Sequence, residues 1–196
     1  AASQLAVIED AETTSLFIQN IADIFRYNLK SLDELVPLSD ELEFVSNYMS
    51  ILKMRFGERI AYEYNIDKDS LGIKIPRITL QPIIENAYIH GLQNLERNGT
   101  IRLETKVEND VLIISIEDDG MGMTKEQVDN LINEDNAEET AVENSNKHLS
   151  GIGVSNVIKR LKLSFQVEEN QKIIDIVSTL GKGTKVILSL PLNNRL

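Results

Sequence analysis

The chain has no cysteine, which excludes a disulfide framework and any thiolate metal site. It has only two histidines, His90 and His148, so a metal centre built on three imidazoles is also excluded. Positive charge is scarce: 20 Lys and Arg face 31 Asp and Glu, for a net charge of −11. Such a balance repels a phosphate backbone, and no nucleic-acid partner is expected. No apolar run is long enough to span a bilayer and the N-terminus carries no signal-peptide pattern, so these residues read as cytoplasmic. The opening AASQLAVIED has the pattern of a helix already under way, and a longer parent protein is expected.

The remaining composition is that of a soluble globular protein. Hydrophobic residues make up 42% and charged residues 26% of 196 positions, enough for one domain and an appendage. The most informative stretch is 75–91, IPRITLQPIIENAYIHG. Leu80, Ile83, Ile84, Ala87 and Tyr88 recur at the spacing of one helix face, while Glu85, Asn86 and His90 gather on another. Thr79 is the expected N-cap, and Pro82 falls in the first turn, where its missing N–H is no loss. Asn86 and His90 are one turn apart and face the same way. An amide and an imidazole so placed suit a metal ion and a phosphate; the alternative is a buried helix with a solvated edge.

Ahead of this stretch the pattern is helical. Asp10 or Thr13 is the expected cap of a helix to about residue 30, with Leu16, Phe17, Ile21, Ile24, Phe25 and Leu29 as an apolar stripe that wants a partner helix. A connection containing Pro37 follows. Ser39 is the expected cap of the next helix, with Asp40 and Glu41 as its acidic first turn and Gly57 as its stop. From residue 60 the period becomes two, giving a strand over Ile60–Ile66. After the helix capped at Thr79 come strands at 101–107 and 111–117 joined by Asn109-Asp110, a helix at 154–163, and a final strand pair around Gly181-Lys182-Gly183. This order predicts an α+β fold, a two-layer sandwich of a mixed sheet with helices on one face. Between 124 and 150 seven acidic residues stand against two lysines and apolar residues thin out, so a short helix at 125–133 and then a mobile lid are expected.

Three glycine pairs punctuate this scheme. Asp118-Asp119-Gly120-Met121-Gly122 follows an apolar strand, Gly151-Ile152-Gly153 precedes a helix, and Gly181-Lys182-Gly183-Thr184 joins the last strands. Glycines at strand ends and helix starts let backbone approach a ligand and aim N–H groups at phosphates. Asp118 is placed to accept from an exocyclic amine such as that of adenine, or else to cap its strand.

The ordered set ENAYIHG, DDGMG, GIGVSNV and GKGT closely resembles the asparagine box, two glycine boxes and C-terminal box of the GHKL (Bergerat) ATP-binding fold. With RYNLK, LSDELEFVSNYMSILKMRFGERI and GIGVSNVIKRL, it resembles the LytS/YesM type of bacterial sensor histidine kinase over nearly the whole chain. The resemblance implies ATP and Mg²⁺ as ligands. Asn86 would ligate the metal and His90 would lie near the phosphates. Asp118 would read the adenine amine above a floor of Gly120 and Gly122. Gly151 and Gly153 would meet the phosphates, Thr184 beside Gly183 would back the adenine, and Lys147 and His148 are further phosphate candidates.

It also implies a helical dimerisation segment, 1–57, and a catalytic domain, 58–196. A phosphoacceptor histidine would precede Ala1 in a motif like PHFLYN, and a homodimer would form through helices of 1–57. A response regulator would be the partner, and the whole would be the cytoplasmic portion of a membrane-anchored protein. The implied activity is transfer of the γ-phosphoryl group of ATP to that upstream histidine. Two other readings remain: an ATPase machine of the gyrase, mismatch-repair or chaperone kind, and a non-enzymatic ATP-regulated interaction module. In hydrolysing relatives a glutamate one turn before the box asparagine activates water; here that position is Pro82. Glu85 lies about 100° around the helix from Asn86.

Overall fold

A computed structural model describes residues 11–29, 34–56, 59–93, 95, 97–132, 149–168 and 171–192. Helices α1 (Glu12–Asn28) and α2 (Leu38–Phe56) flank a short strand, β1 (Leu35–Pro37). Then come β2 (Ile60–Ile66), a single 3₁₀ turn (Lys68–Ser70), β3 (Lys74–Pro76) and α3 (Gln81–Asn86). Helix α3 runs without a break into a π-helical turn, Ala87–Leu92. The remainder is β4 (Gly99–Glu108), β5 (Val111–Asp118), α4 (Lys125–Ile132), α5 (Leu149–Ser164), β6 (Ile174–Thr179) and β7 (Gly183–Pro191).

Five strands form one mixed sheet in the order β2-β4-β5-β7-β6, with β2 parallel to β4 and the other pairs antiparallel. This is the α+β sandwich expected from the sequence. Alternation decides the two faces. Ile101, Leu103, Leu112, Ile114, Ile116, Leu188 and Leu190 point into one core with Leu80, Ile83 and Ile84 of α3 and Val154, Val157 and Leu161 of α5. The opposite face mixes Ile113 and Ile187 with charged residues that pair between neighbouring strands: Arg102 to Glu63 at 2.8 Å and Lys185 to Glu117 at 3.0 Å. Asn109 and Asp110 both take positive φ, 50° and 58°, as a two-residue hairpin with right-handed twist requires.

Several local expectations are corrected. The connection at Pro37 is a strand: β1 pairs antiparallel with β3, Val36 opposite Ile75, and at a sheet edge proline's missing N–H is tolerated. Ser39 does not cap α2, because the helix already includes Leu38, whose N–H reaches the Ile73 carbonyl at 2.8 Å. Its hydroxyl bonds Asp40 instead. Thr79 does not cap α3; its hydroxyl donates to the Pro76 carbonyl at 2.7 Å, and Leu80 stands at the cap position. Thr13 lies inside α1, whose cap position is Ala11. Asp10, the expected helix tail at 1–8 and Gly57 lie outside the described residues.

Leu112 is fully buried at the centre of the sheet. Leu112→Ala should lower stability by about 2–5 kcal/mol, seen as a lower urea midpoint with little change in slope. Leu163→Ala, at a position 77% exposed, should shift it by less than about 0.5 kcal/mol.

Candidate nucleotide site

Asp118 ends the central strand β5, paired with Ile101 of β4 and Thr184 of β7, and is 5% exposed. Its Oδ1 accepts the Gly120 N–H at 2.9 Å. On the other side stands Gly91 of the π turn, where a Cβ would lie 2.6 Å from the same oxygen. A Cβ on Gly120 would lie 2.3 Å from the Gly91 carbonyl oxygen. That carbonyl accepts the Met121 N–H at 3.0 Å. The end of the asparagine-bearing helix and the DDGMG loop thus meet backbone to backbone, at a distance only glycine allows. Gly183, at φ 103°, closes a third side: a Cβ there would sit 1.9 Å from the Asp118 carbonyl oxygen.

Hydroxyls hold the loop to the sheet end. Ser178 Oγ accepts the Met123 N–H at 2.7 Å, donates to the Gly183 carbonyl at 3.1 Å, and lies 2.9 Å from Thr184 Oγ1. Asp119, the other carboxylate of the motif, turns away to accept the Thr100 N–H at 2.8 Å and pair with Arg97 at 3.0 Å. The two adjacent acids therefore have separate tasks, and only Asp118 is enclosed by glycines.

Asn86 is the last residue of α3 and partly buried; His90 lies exposed in the π turn. The Gln93 N–H bonds the Tyr88 carbonyl at 2.8 Å, five residues back, so the regular turn expected between Asn86 and His90 is replaced by a wider one. The widening carries Gly91 against Asp118. Gly151 and Gly153 lie in the first turns of α5, and a Cβ on Gly153 would be 3.4 Å from Pro82 Cβ. The starts of α3 and α5 therefore pack together at one edge of the site. Gly122, at φ 64°, follows in the same loop as Gly120. Lys147, His148 and most of the expected lid fall in 133–148, outside the described residues.

Sequence reasoning missed Gly91, Ser178 and Glu41. Gly91 was visible as the last letter of ENAYIHG, but its contact is long-range. Ser178 sits six residues before Thr184 on a partner strand, a relation only strand register reveals. Glu41 reads as an acid in its own helix's first turn, yet its carboxylate accepts the N–H groups of Ile78, Thr79 and Leu80 at 2.6, 2.8 and 3.1 Å. It caps α3 from outside, which is why Thr79 need not.

Burial pushes the Asp118 carboxyl up to about 6, opposed by the N–H groups of Gly120 and Thr184 and assisted by the charges of Asp119 and Glu117. At neutral pH it is mostly ionised and an acceptor. A raised carboxyl favours the folded state when protonated, so its contribution is full below the ordinary range near 3.8 and is lost as pH rises through about 6. Carboxyl ¹³C NMR should show Asp118 titrating near 6, well above exposed carboxylates at about 4. A midpoint in the ordinary range would contradict the burial described.

Residues 1–60 match the family model described as "Histidine kinase", and residues 74–194 match "Histidine kinase-, DNA gyrase B-, and HSP90-like ATPase". "Sensor protein LytS" of Oceanobacillus iheyensis is 34% identical over 187 residues, 94% of this chain and 30% of that protein. "Sensor histidine kinase YesM" of Bacillus subtilis is 28% identical over 190 residues, 97% of this chain and 30% of that protein. The chain spans under a third of the length of these relatives. The solved structure of the Acinetobacter baumannii histidine kinase AdeS aligns with a TM-score of 0.56 at 17% identity, over 96% of this chain and 83% of that one, a likeness of fold. With its glycine-walled carboxylate at the end of a mixed sheet, the chain belongs to the histidine kinase-, DNA gyrase B- and HSP90-like ATPase family, on its sensor histidine kinase branch.

Proposed function

We propose that this chain binds Mg·ATP at the Asp118 junction and directs the γ-phosphoryl group to a histidine imidazole supplied by another segment of the full protein. The observation that carries this reading is the buried Asp118 carboxylate between Gly91 and Gly120. A carboxylate can accept about four hydrogen bonds, and backbone N–H groups come from Gly120 and Thr184. That leaves acceptor capacity for the exocyclic amine of adenine. Asn86 and His90, one turn of helix before and within the turn that carries Gly91, would then lie toward the phosphates, with Gly151 and Gly153 across from them.

The residues fit Mg²⁺ carried by a polyphosphate. Among the described residues no group of three His, Cys, Asp or Glu could hold an ion unaided. Mg²⁺ typically takes one or two protein oxygens and completes its shell with phosphates and water, and Asn86 supplies one such oxygen. When bound, the ion neutralises charge that develops on the phosphates. The protein's share is to position the nucleotide for in-line attack. A neutral imidazole nitrogen uses its lone pair to form the N–P bond as the bond from γ-phosphorus to the bridging oxygen breaks and ADP leaves. On this reading 1–57 is a helical segment and 58–196 the catalytic domain, a response regulator receives the phosphoryl group, and the full protein is membrane-anchored with this part in the cytoplasm. No helix among the described residues is long and apolar enough to cross a membrane. Pairing of α1 in a homodimer is supported by exposed Leu16 and Phe25 on its surface and Leu29 at its C-terminal end.

The rival reading, a hydrolysing ATPase, lacks a base. Pro82 stands where hydrolysing relatives have glutamate and cannot accept a proton. Glu85, the nearest carboxylate in the helix, faces the Tyr48 hydroxyl of α2, whose ionisation its charge opposes. Purified protein should therefore bind Mg·ATP, release phosphate very slowly and carry no phosphate on His90. Asp118→Asn, which turns an acceptor oxygen into a donor, should weaken ATP binding by about 1–3 kcal/mol, or roughly tenfold and more, in calorimetry. Rapid steady-state phosphate release, phospho-His90 in mass spectrometry, or unchanged ATP affinity in the variant would each overturn the assignment.

A further inference from the structure

Glu41 is fully buried and lies outside the site just described. Four donors converge on its carboxylate. Oε1 accepts the Ile78 N–H and the Tyr27 hydroxyl; Oε2 accepts the Thr79 and Leu80 N–H groups. Three successive amides can point at one carboxylate because Ile78 takes φ 53°, a left-handed conformation rare for a β-branched residue. The opposite side of the same turn is held too. Arg160 of α5 donates to the Arg77 and Ile78 carbonyls at 2.6 and 2.8 Å. Arg77, 2% exposed, stacks over the Tyr27 ring with its guanidinium carbon 3.7 Å from the centroid, and donates to the Tyr27 carbonyl at 2.7 Å. Tyr27 in turn stacks on Phe44 of α2, centroids 4.2 Å apart. Burial and the neighbouring Glu41 raise the Tyr27 hydroxyl's pKa, so it stays a donor.

We infer that Glu41 is a positioning residue for the nucleotide site: it caps α3, and Tyr27 of α1 sets where that cap stands, so that α1 and the Asn86-bearing helix shift together. The residues that fix the start of α3 come from α1, α2 and α5, and none of them belongs to the glycine-walled pocket. A displacement of α1 withdraws the Tyr27 hydroxyl and ring, which loosens Glu41 and Arg77 at once. The start of α3 then moves, and Asn86 moves with it. Asp118 does not, because it ends β5, is paired with β4 and β7 on either side, and is bonded by the Gly120 N–H. The predicted effect is therefore confined to the phosphate end of the nucleotide. This inference rests on the placement of Asn86 at the phosphates proposed above.

Calorimetry of ATP binding to the full chain, with and without Mg²⁺, separates the two ends. Glu41→Gln keeps the shape but turns one acceptor oxygen into a donor facing N–H groups; Tyr27→Phe removes one hydroxyl and keeps the ring. In Glu41→Gln the gain in ATP affinity that Mg²⁺ brings should fall by about ten- to hundredfold. Tyr27→Phe should show a smaller loss in the same direction. In both, Mg²⁺-free affinity and the Asp118 titration should stay unchanged, and the amides of Ile78, Thr79 and Leu80 should exchange faster. Should Glu41→Gln fail to fold, Tyr27→Phe decides alone. Equal loss with and without Mg²⁺, or no loss in either, overturns the inference. If the unmodified chain binds no ATP, the functional reading fails instead. Exchange at those three amides in Tyr27→Phe then still judges the cap: faster exchange supports it, and unchanged exchange rejects it.

Discussion

A carboxylate taken out of water at the end of the central strand is the constraint on which the site depends. Burying Asp118 is costly unless its oxygens are met by donors, and the N–H groups of Gly120 and Thr184 meet them. Those donors reach it because Gly91, Gly120 and Gly183 present backbone where any side chain would collide. The rest of the architecture serves that approach. β5 sits between β4 and β7 and so holds Asp118 from both sides. The π turn sets Gly91 against it, and Ser178 ties the following loop to the sheet end.

Departures from regular geometry cluster around this junction and the start of α3. A π turn is rare and often marks a functional site, and a β-branched residue at positive φ persists only where its surroundings over-determine it. The turn Ala87–Leu92 and Ile78 are both such features, and they bracket Asn86 at the two ends of one helix. The Ile78 turn is held by Glu41 on its N–H side and Arg160 on its carbonyl side. Each irregularity faces packed elements that fix it, which is what a pre-organised ligand site needs.

Periodicity made much of the fold legible. The alternation of β4 and β5, the Asn109-Asp110 hairpin and the Val154, Val157, Leu161 face of α5 follow from local pattern, and all stand where expected. The sheet order and the site's shape depend on contacts between distant residues, which one sequence does not carry. Thr79 and Ser39 are good caps by composition, yet both are displaced by tertiary partners, Glu41 in one case and the Ile73 carbonyl in the other. The pairing of β1 with β3 hides in three-residue segments too short to show a period. Asp118, Gly120, Gly122, Gly183 and Thr184 lie together at one sheet end, whereas Lys147 and His148 lie outside the described residues.

If enclosure of Asp118 by side-chain-free backbone is what makes the site, one methyl group should undo it. Gly91→Ala places a Cβ 2.6 Å from Asp118 Oδ1, whereas the same methyl at Gly72 meets nothing within 4 Å. ATP affinity of the two variants, measured side by side by calorimetry, tests the point directly. Gly91→Ala should lose about tenfold or more in affinity, equivalent to about 1.4 kcal/mol, while Gly72→Ala binds like the unmodified chain. Unaltered ATP binding by Gly91→Ala would contradict the account.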